Sequence, residues 1–208
     1  MSSKLAKIEI LPNQCPLDLL KDWIDDFRRY NTVPVIFNLA TAGNSGDVKN
    51  RFIVLQNLTE DGLVFNTNRN SPKVRQMEEN PKVAACFPFV YTDGNTLRQV
   101  RIEGTAEKVK TKITQETFNS FPLYVKMRAF LIPEQSVEVQ WDDLNTLHDA
   151  LLAKVSRNEV EANPPEHLVE YKIVPKTFDF YHSHDEEIAD RVFFKCVSGI
   201  WTHTHLTA

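Results

Sequence analysis

The 208-residue chain is 42% hydrophobic and carries 24 Lys and Arg against 28 Asp and Glu, a formal net charge of −4. That length and apolar content suffice for one well-buried core, and the acidic balance argues against a nucleic-acid binder, which needs a basic face. No apolar run approaches the ~18 residues of a membrane span, no signal-peptide pattern opens the chain, and Cys15, Cys86 and Cys196 are too few and too scattered for a disulfide framework or a zinc site. A cytoplasmic protein with free thiols is expected.

Residues 1–15 read as a flexible lead before a domain spanning 16–208. Pro16-Leu17-Asp18 opens an amphipathic helix with Leu19, Leu20, Trp23, Ile24 and Phe27 on one side, and Asn31–Pro34 ends it. VIFNLATAG is a strand, and Gly43–Asn50 a polar turn. Arg51–Leu58 and Leu63–Thr67 read as two strands of a hairpin, with Asp61-Gly62 supplying residues tolerant of positive φ. A helix follows over Lys73–Glu79, stopped by Asn80-Pro81. Val83–Phe89 is a strand, Tyr91–Asn95 a tight turn, and Gln99–Val109 alternates with period two. Short connections between five strands predict a small antiparallel barrel. Beyond it, Lys112–Ser120 is helical, Pro122–Ser136 is less regular, and Trp141–Val155 has an apolar stripe through Leu144, Leu147, Leu151, Leu152 and Val155. Asn158–Pro165 is a charged loop. Strands return at Leu168–Val174, Thr177–Tyr181, Arg191–Cys196 and Ile200–Thr204. The fold class is mixed α+β, mainly antiparallel, with helices outside the barrel and a terminal sheet segment suited to an oligomer interface.

The polar residues of the hairpin stretch suggest a site. Arg51 enters one strand, Thr67 leaves the other, and Ser71 and Lys73 stand where a helix begins. Two cations, two hydroxyls and free helix N–H groups can converge on an anion such as a phosphate. Residue types alone do not separate this from an ordinary surface hairpin with polar ends. His182, His184 and Asp185 fall in a polar turn whose alternate residues do not converge, and no helical HxxxH is present, so no metal is expected. His203 and His205 alternate with threonines, as on one exposed face of a strand.

In order and spacing, a set of short motifs resembles the pyridoxamine 5'-phosphate oxidases from about Pro16 to the last residue. They are RFIVLQ (51–56), Phe65-Asn66-Thr67-Asn68, Ser71-Pro72-Lys73, Asn80-Pro81, Arg98-Gln99-Val100, Gln135-Ser136, Phe178–Tyr181, Asp190-Arg191, and Trp201 through the closing HLTA. The resemblance implies an FMN-binding split barrel working as a homodimer, with FMN at the subunit interface. By that resemblance Arg51, Thr67, Ser71 and Lys73 hold the phosphate and ribityl chain. Phe52, Ile53, Val54 and Gln56 run beside the ring, and Gln99 bonds its edge. Gln135, Ser136, Tyr181 and Arg191 come from the partner subunit. Two cofactor positions depart from the family's pattern, Asn66 for a tyrosine and Pro72 for an arginine.

The substrate side departs further. The family's strand lysine is Gln56, the Tyr, Arg and Ser that grip the substrate phosphate fall on Thr117, Phe121 and Val125, and the Arg-Leu-His before Asp190-Arg191 reads Glu187-Ile188-Ala189. A phosphate dianion is poorly held by Phe, Val and Glu. The expected function is therefore an FMN oxidoreductase acting on a small molecule other than pyridoxamine or pyridoxine phosphate, less anionic and more apolar, with Phe121, Val125 and Ala189 lining its pocket. The catalytic residues are not specified by the sequence. The alternatives are an authentic pyridoxamine 5'-phosphate oxidase, with Lys126 and Arg128 taking over the substrate phosphate, and a non-catalytic FMN-binding module.

Overall fold

The computed structural model of the chain describes residues 4–91, 94–157, 159 and 163–208. The turn expected at Tyr91–Asn95 and the loop expected at Asn158–Pro165 lie partly outside the described residues. Helix α1 (Pro16–Tyr30) forms as its stripe dictates, with Pro at its start, where a missing N–H costs nothing. It buries Leu17, Leu19, Leu20, Trp23, Ile24 and Phe27, and Trp23 meets Phe180 edge-on with ring centroids 5.1 Å apart. The described part of the lead is packed rather than loose. Ala6 and Ile8 are buried, and the Ile8 N–H donates to Asp190 Oδ2 at 2.8 Å.

Among the described residues, nine strands form one sheet: β1 (Ile36–Ala42), β2 (Val48–Val54), β3 (Asn57–Thr59), β4 (Gly62–Asn68), β5 (Lys82–Val90), β6 (Thr96–Lys108), β7 (Leu168–His184), β8 (Asp190–Val197) and β9 (Ile200–Leu206). The order is β2-β1-β5-β6-β7-β4-β3, with β8 added to β7 and β9 to β8, and every ladder is antiparallel. The two ends of the main path, β2 and β3, are consecutive in the chain, so the sheet must curl until its edges meet. The joining residues are bonded on both sides, Leu55 N–H to the Val35 carbonyl at 2.9 Å and Gln56 N–H to the Val64 carbonyl at 3.0 Å. This half-barrel packs an aromatic core, with Phe37, Phe65, Phe87, Phe178, Phe180 and Phe194 all essentially inaccessible.

The sequence expectations need four corrections here. Arg51–Leu58 is not one strand: β2 pairs β1, and after Leu55 and Gln56 the chain starts β3 against β4. The Asp61-Gly62 turn forms without positive φ; Gly62 is required instead because a Cβ would stand 2.3 Å from the Ile173 carbonyl oxygen. The strands expected at Leu168–Val174 and Thr177–Tyr181 are one, β7. Its outer partner changes at Pro175, from β4 to β8, where a residue without an N–H interrupts neither outer ladder. On its inner side the register against β6 shifts beside Gly104, whose Cβ would meet the Val174 carbonyl oxygen at 2.3 Å. Finally, the segment expected to be irregular contains a helix.

That helix is α4 (Leu123–Leu131), which follows α2 (Pro72–Glu79) and α3 (Gln115–Asn119) and precedes α5 (Trp141–Ser156). Its apolar residues face several directions. Phe121 just before it, Val125, Ala129 and Phe130 join Ile113 and Phe118 in a small second core, while Leu123 and Tyr124 are exposed. No single 3.6-residue stripe therefore marks it. The stripe of α5 is real in sequence, yet no α5 residue is buried, and Trp141, Leu147 and Leu152 stand exposed. Among the described residues, no helix is long and apolar enough to cross a membrane.

Candidate functional site

A cleft of about 500 Å³ opens between two walls. The first is the sheet: Arg51, Phe52, Ile53 and Val54 from β2, Gln56 beyond it, and Asn66, Thr67 and Asn68 from β4, with Lys73 from the first turn of α2. The second is α4 and its flanks, contributing Phe121, Pro122, Tyr124, Val125, Arg128, Ala129 and Ile132, with Gln135, His167 and Leu168 alongside.

The sheet wall is cross-linked. Arg51 Nη1 donates to the Leu39 carbonyl at 3.1 Å and to Thr41 Oγ1 at 2.6 Å. The buried Thr41 hydroxyl in turn donates to Gln76 Oε1 on α2 at 2.7 Å. Lys73 Nζ donates to Thr67 Oγ1 at 3.1 Å and to Gln135 Oε1 at 2.9 Å. Burial, with the charges of Arg51 and Arg128 nearby, lowers the Lys73 ammonium to about 8, and burial also lowers Arg51. Among the described residues, the cleft is lined by Arg51, Lys73 and Arg128 and by no Asp or Glu. Each cation raises the cost of the others, and an anion entering the cleft would relieve all three.

Two buried polar atoms beside this wall have no partner. Ser71 is wholly inaccessible and caps α2 without a side-chain capping bond, leaving its Oγ unpaired. Asn66 Oδ1 is likewise orphaned. Buried polar groups are nearly always satisfied, so an unpaired donor at a helix start beside Lys73 suits a phosphate, and an unpaired acceptor suits a ligand hydroxyl. Pro72 stands at the first helical position of α2, where its ring preorganises the turn that presents Lys73.

The cleft thus gathers Arg51, Phe52, Ile53, Val54, Gln56, Asn66, Thr67 and Lys73, with Phe121 and Val125 opposite. Gln135 differs from expectation: the residue anticipated from a partner subunit reaches Lys73 of its own chain. Two side chains of β4 and its following turn bring it there. Asn68 Nδ2 donates to the carbonyls of Ile132 (2.8 Å) and Pro133 (3.1 Å), and Asn70 Nδ2 donates to Pro133 at 3.0 Å. Ser136, next to Gln135, is exposed with φ 63° and does not line the cleft.

Three other expected cofactor residues travel together and elsewhere. Gln99, Tyr181 and Arg191 are register partners across β6, β7 and β8, forming one row. Arg191 is fixed by Asp179, through Nε to Oδ1 at 2.9 Å and Nη2 to Oδ2 at 2.7 Å, and Asp179 also pairs with Arg101. Burial would raise the Asp179 carboxyl, but its bonds to both arginines outweigh that and hold it below the usual range. None of the three lines the cleft of its own chain.

On the substrate side, Thr117 is exposed on α3, where its backbone N–H donates to the capping Thr114 Oγ1, and it does not reach the cleft. Glu187 and Ala189 lie in the β7–β8 connection, where Ile188 pairs with Leu5 and Lys4, and neither lines the cleft that Phe121 lines. Lys126 is turned away, its Nζ donating to the Asn119 carbonyl. His182 and His184 belong to β7 rather than to a turn. Residues that sequence reasoning missed include Thr41, Asn68 and His167, whose Nε2 donates to the Ala129 carbonyl at 2.7 Å and ties α4 to the start of β7. Only long-range contacts give these residues their roles, so nothing local marks them.

A family model described as pyridoxamine 5'-phosphate oxidase matches residues 25–148. The pyridoxine/pyridoxamine 5'-phosphate oxidase of Pseudomonas paraeruginosa is 31% identical over 196 residues, covering 92% of this chain and 87% of its own. That of Pelagibacter ubique is 28% identical, covering 92% and 91%. Among solved structures, PhzG from Burkholderia lata in complex with tetrahydrophenazine-1-carboxylic acid aligns with a TM-score of 0.79 at 21% identity, over 95% of this chain and 94% of that one. A pyridoxamine 5'-phosphate oxidase-related, FMN-binding protein from Nostoc punctiforme aligns at 0.70 and 14%, over 97% and 100%. The half-barrel is that of these proteins.

Proposed function

The chain belongs to the pyridoxamine 5'-phosphate oxidase family, and from that premise we propose that it is an FMN-dependent oxidoreductase whose substrate is not pyridoxamine or pyridoxine phosphate. The observation that carries this is the asymmetry of the cleft. Its sheet wall keeps Arg51, Thr67 and Lys73 around an acid-free pocket with the orphaned Ser71 hydroxyl beside it. The opposite wall presents Phe121 and Val125, with Arg128 as its one cation, which is too little charge to neutralise a substrate phosphate dianion.

When bound, FMN supplies a two-electron acceptor for a hydride. The residues of this chain would do the rest. Arg51 and Lys73 would neutralise the cofactor phosphate through charge-assisted bonds, with the Ser71 hydroxyl as a third donor. Thr67 and Gln135 hold the Lys73 ammonium in place, and Phe52 to Val54 give the flavin ring an apolar bed. Phe121 and Val125 would exclude water and seat an apolar substrate body. The ligand of the Burkholderia protein, tetrahydrophenazine-1-carboxylic acid, is consistent with this fold taking ring systems that carry no phosphate.

The working unit would be a cytoplasmic homodimer, with FMN between subunits. What supports it is the row Gln99–Tyr181–Arg191, which is held rigidly yet lies off its own cleft, so a second copy would bring it to the flavin. The exposed Trp141, Leu147 and Leu152 of α5 add apolar surface that assembly would cover. A second reading, pyridoxamine 5'-phosphate oxidase activity itself, is favoured by the curated relatives' names and by the position of Arg128 in the cleft. The test is the visible spectrum of the purified protein followed by an assay for pyridoxal phosphate formation. A yellow protein that forms no pyridoxal phosphate supports the proposal. A yellow protein that forms it supports the second reading, and a protein that takes up no FMN defeats both.

A further inference from the structure

Arg51 and Lys73 together match a phosphate that carries close to two negative charges at neutral pH, which leaves one cleft cation over. Arg128 forms no side-chain hydrogen bond or ion pair with any described residue, and its charge is felt by Lys73 across the cleft. It stands one turn along α4 from Val125, and both line the cleft together with Phe121 and Ile132, which flank the helix. The wall that the substrate would meet therefore offers a mainly apolar surface, the Tyr124 ring and a single guanidinium, and among the described residues no carboxylate lines the cleft to neutralise it.

We propose that Arg128 anchors one carboxylate of the substrate, and that the substrate class is a flat, apolar monocarboxylate seated against Phe121, Val125 and Ile132. The proposal rests on the FMN reading, because it needs Arg51 and Lys73 to be occupied by the cofactor phosphate. The planar fork of a guanidinium matches a carboxylate in two parallel bonds. A substrate phosphate dianion would leave one of its charges against Phe121 and Val125, an uncompensated burial that is strongly unfavourable. An uncharged substrate would leave the Arg128 charge unpaired as the substrate covered it.

The experiment is calorimetric titration of 1-naphthoate, and of 1-naphthamide as a neutral shape match, into FMN-saturated wild-type protein and Arg128→Gln. Arg128 is exposed, so the substitution leaves the core untouched. The expected result is saturable naphthoate binding that weakens about ten-fold in Arg128→Gln, naphthamide binding indifferent to the substitution, and an unchanged FMN affinity. Naphthoate that fails to bind the wild type, or that binds both proteins equally, overturns the proposal. So does a parallel loss of FMN affinity, which assigns Arg128 to the cofactor phosphate. Pyridoxine phosphate that binds more tightly than naphthoate and depends on Arg128 overturns it in favour of a phosphorylated substrate. A wild type that takes up no FMN is seen in the loading step and sinks the cofactor reading itself, and this proposal with it.

Discussion

Arg51, Thr67 and Lys73 reach the cleft from β2, β4 and α2, and their polar groups already bond one another or the Leu39 carbonyl, Thr41 and Gln135. Across the cleft, α4 is fastened by His167 to the Ala129 carbonyl and by Asn68 to the carbonyls that follow the helix. It presents to the cleft a mainly apolar surface, the Tyr124 ring and one guanidinium that has no partner among the described residues. One wall is wired in advance for an anion, at the cost of crowding like charges. The other is a panel fastened through backbone carbonyls, so its fastenings do not use the side chains of α4 that it displays. On the proposed function, such a division would let substrate preference change on α4 while cofactor binding stayed with the sheet.

The division breaks most visibly at Lys73. Lys73→Met removes a charge-assisted contact to the phosphate and is expected to weaken FMN binding by about 30- to 100-fold, as measured by quenching of flavin fluorescence, while thermal stability holds or rises because a desolvated cation is gone. A loss of less than about three-fold would mean the phosphate lies elsewhere. Asn68→Ala tests the strap between the walls. It strands the carbonyls of Ile132 and Pro133 and frees Gln135 from its position, so stability is expected to fall by about 1–3 kcal/mol in chemical denaturation, with a smaller loss of FMN affinity.

Acidity gives a third handle. The folded-state Lys73 value of about 8 lies below its ordinary 10.5, so between those pH values the unfolded chain holds more protons than the folded one, and the free protein gains stability as pH rises through that window. Phosphate binding favours the charged ammonium, so FMN uptake above about pH 8 takes up a proton. FMN affinity is then expected to fall as pH rises past about 8, by at most about ten-fold per unit, and this slope disappears in Lys73→Met. The smallest effect belongs to the panel: His167→Ala removes one bond to α4, costing about 1 kcal/mol of stability, with FMN affinity unchanged.

Much of this was legible in the sequence, and the illegible part has a common cause. Helix α1, strands β5 and β6 and the residues Arg51, Thr67 and Lys73 follow from local periodicity and from residue types at element ends. The curl of the sheet does not, because it depends on β2 and β3 being edges that meet. Likewise α4 faces the cleft on one side and the Phe118 cluster on another, which scatters its apolar residues. The place of Gln135 beside Lys73 is fixed by Asn68, more than sixty residues earlier. The resemblance names Gln99, Tyr181 and Arg191 one by one, yet only the β6–β7–β8 register shows that they stand side by side in one row.

The most direct test of the phosphate clamp is to titrate the flavin-free protein in parallel with FMN and with riboflavin, which has the same ring and ribityl chain but no phosphate. The clamp requires FMN to bind about 100-fold tighter than riboflavin, with most of that preference lost in Lys73→Met and none of it in Arg128→Gln. Equal affinity for the two flavins would show that Arg51 and Lys73 do not hold the cofactor phosphate and would contradict the account.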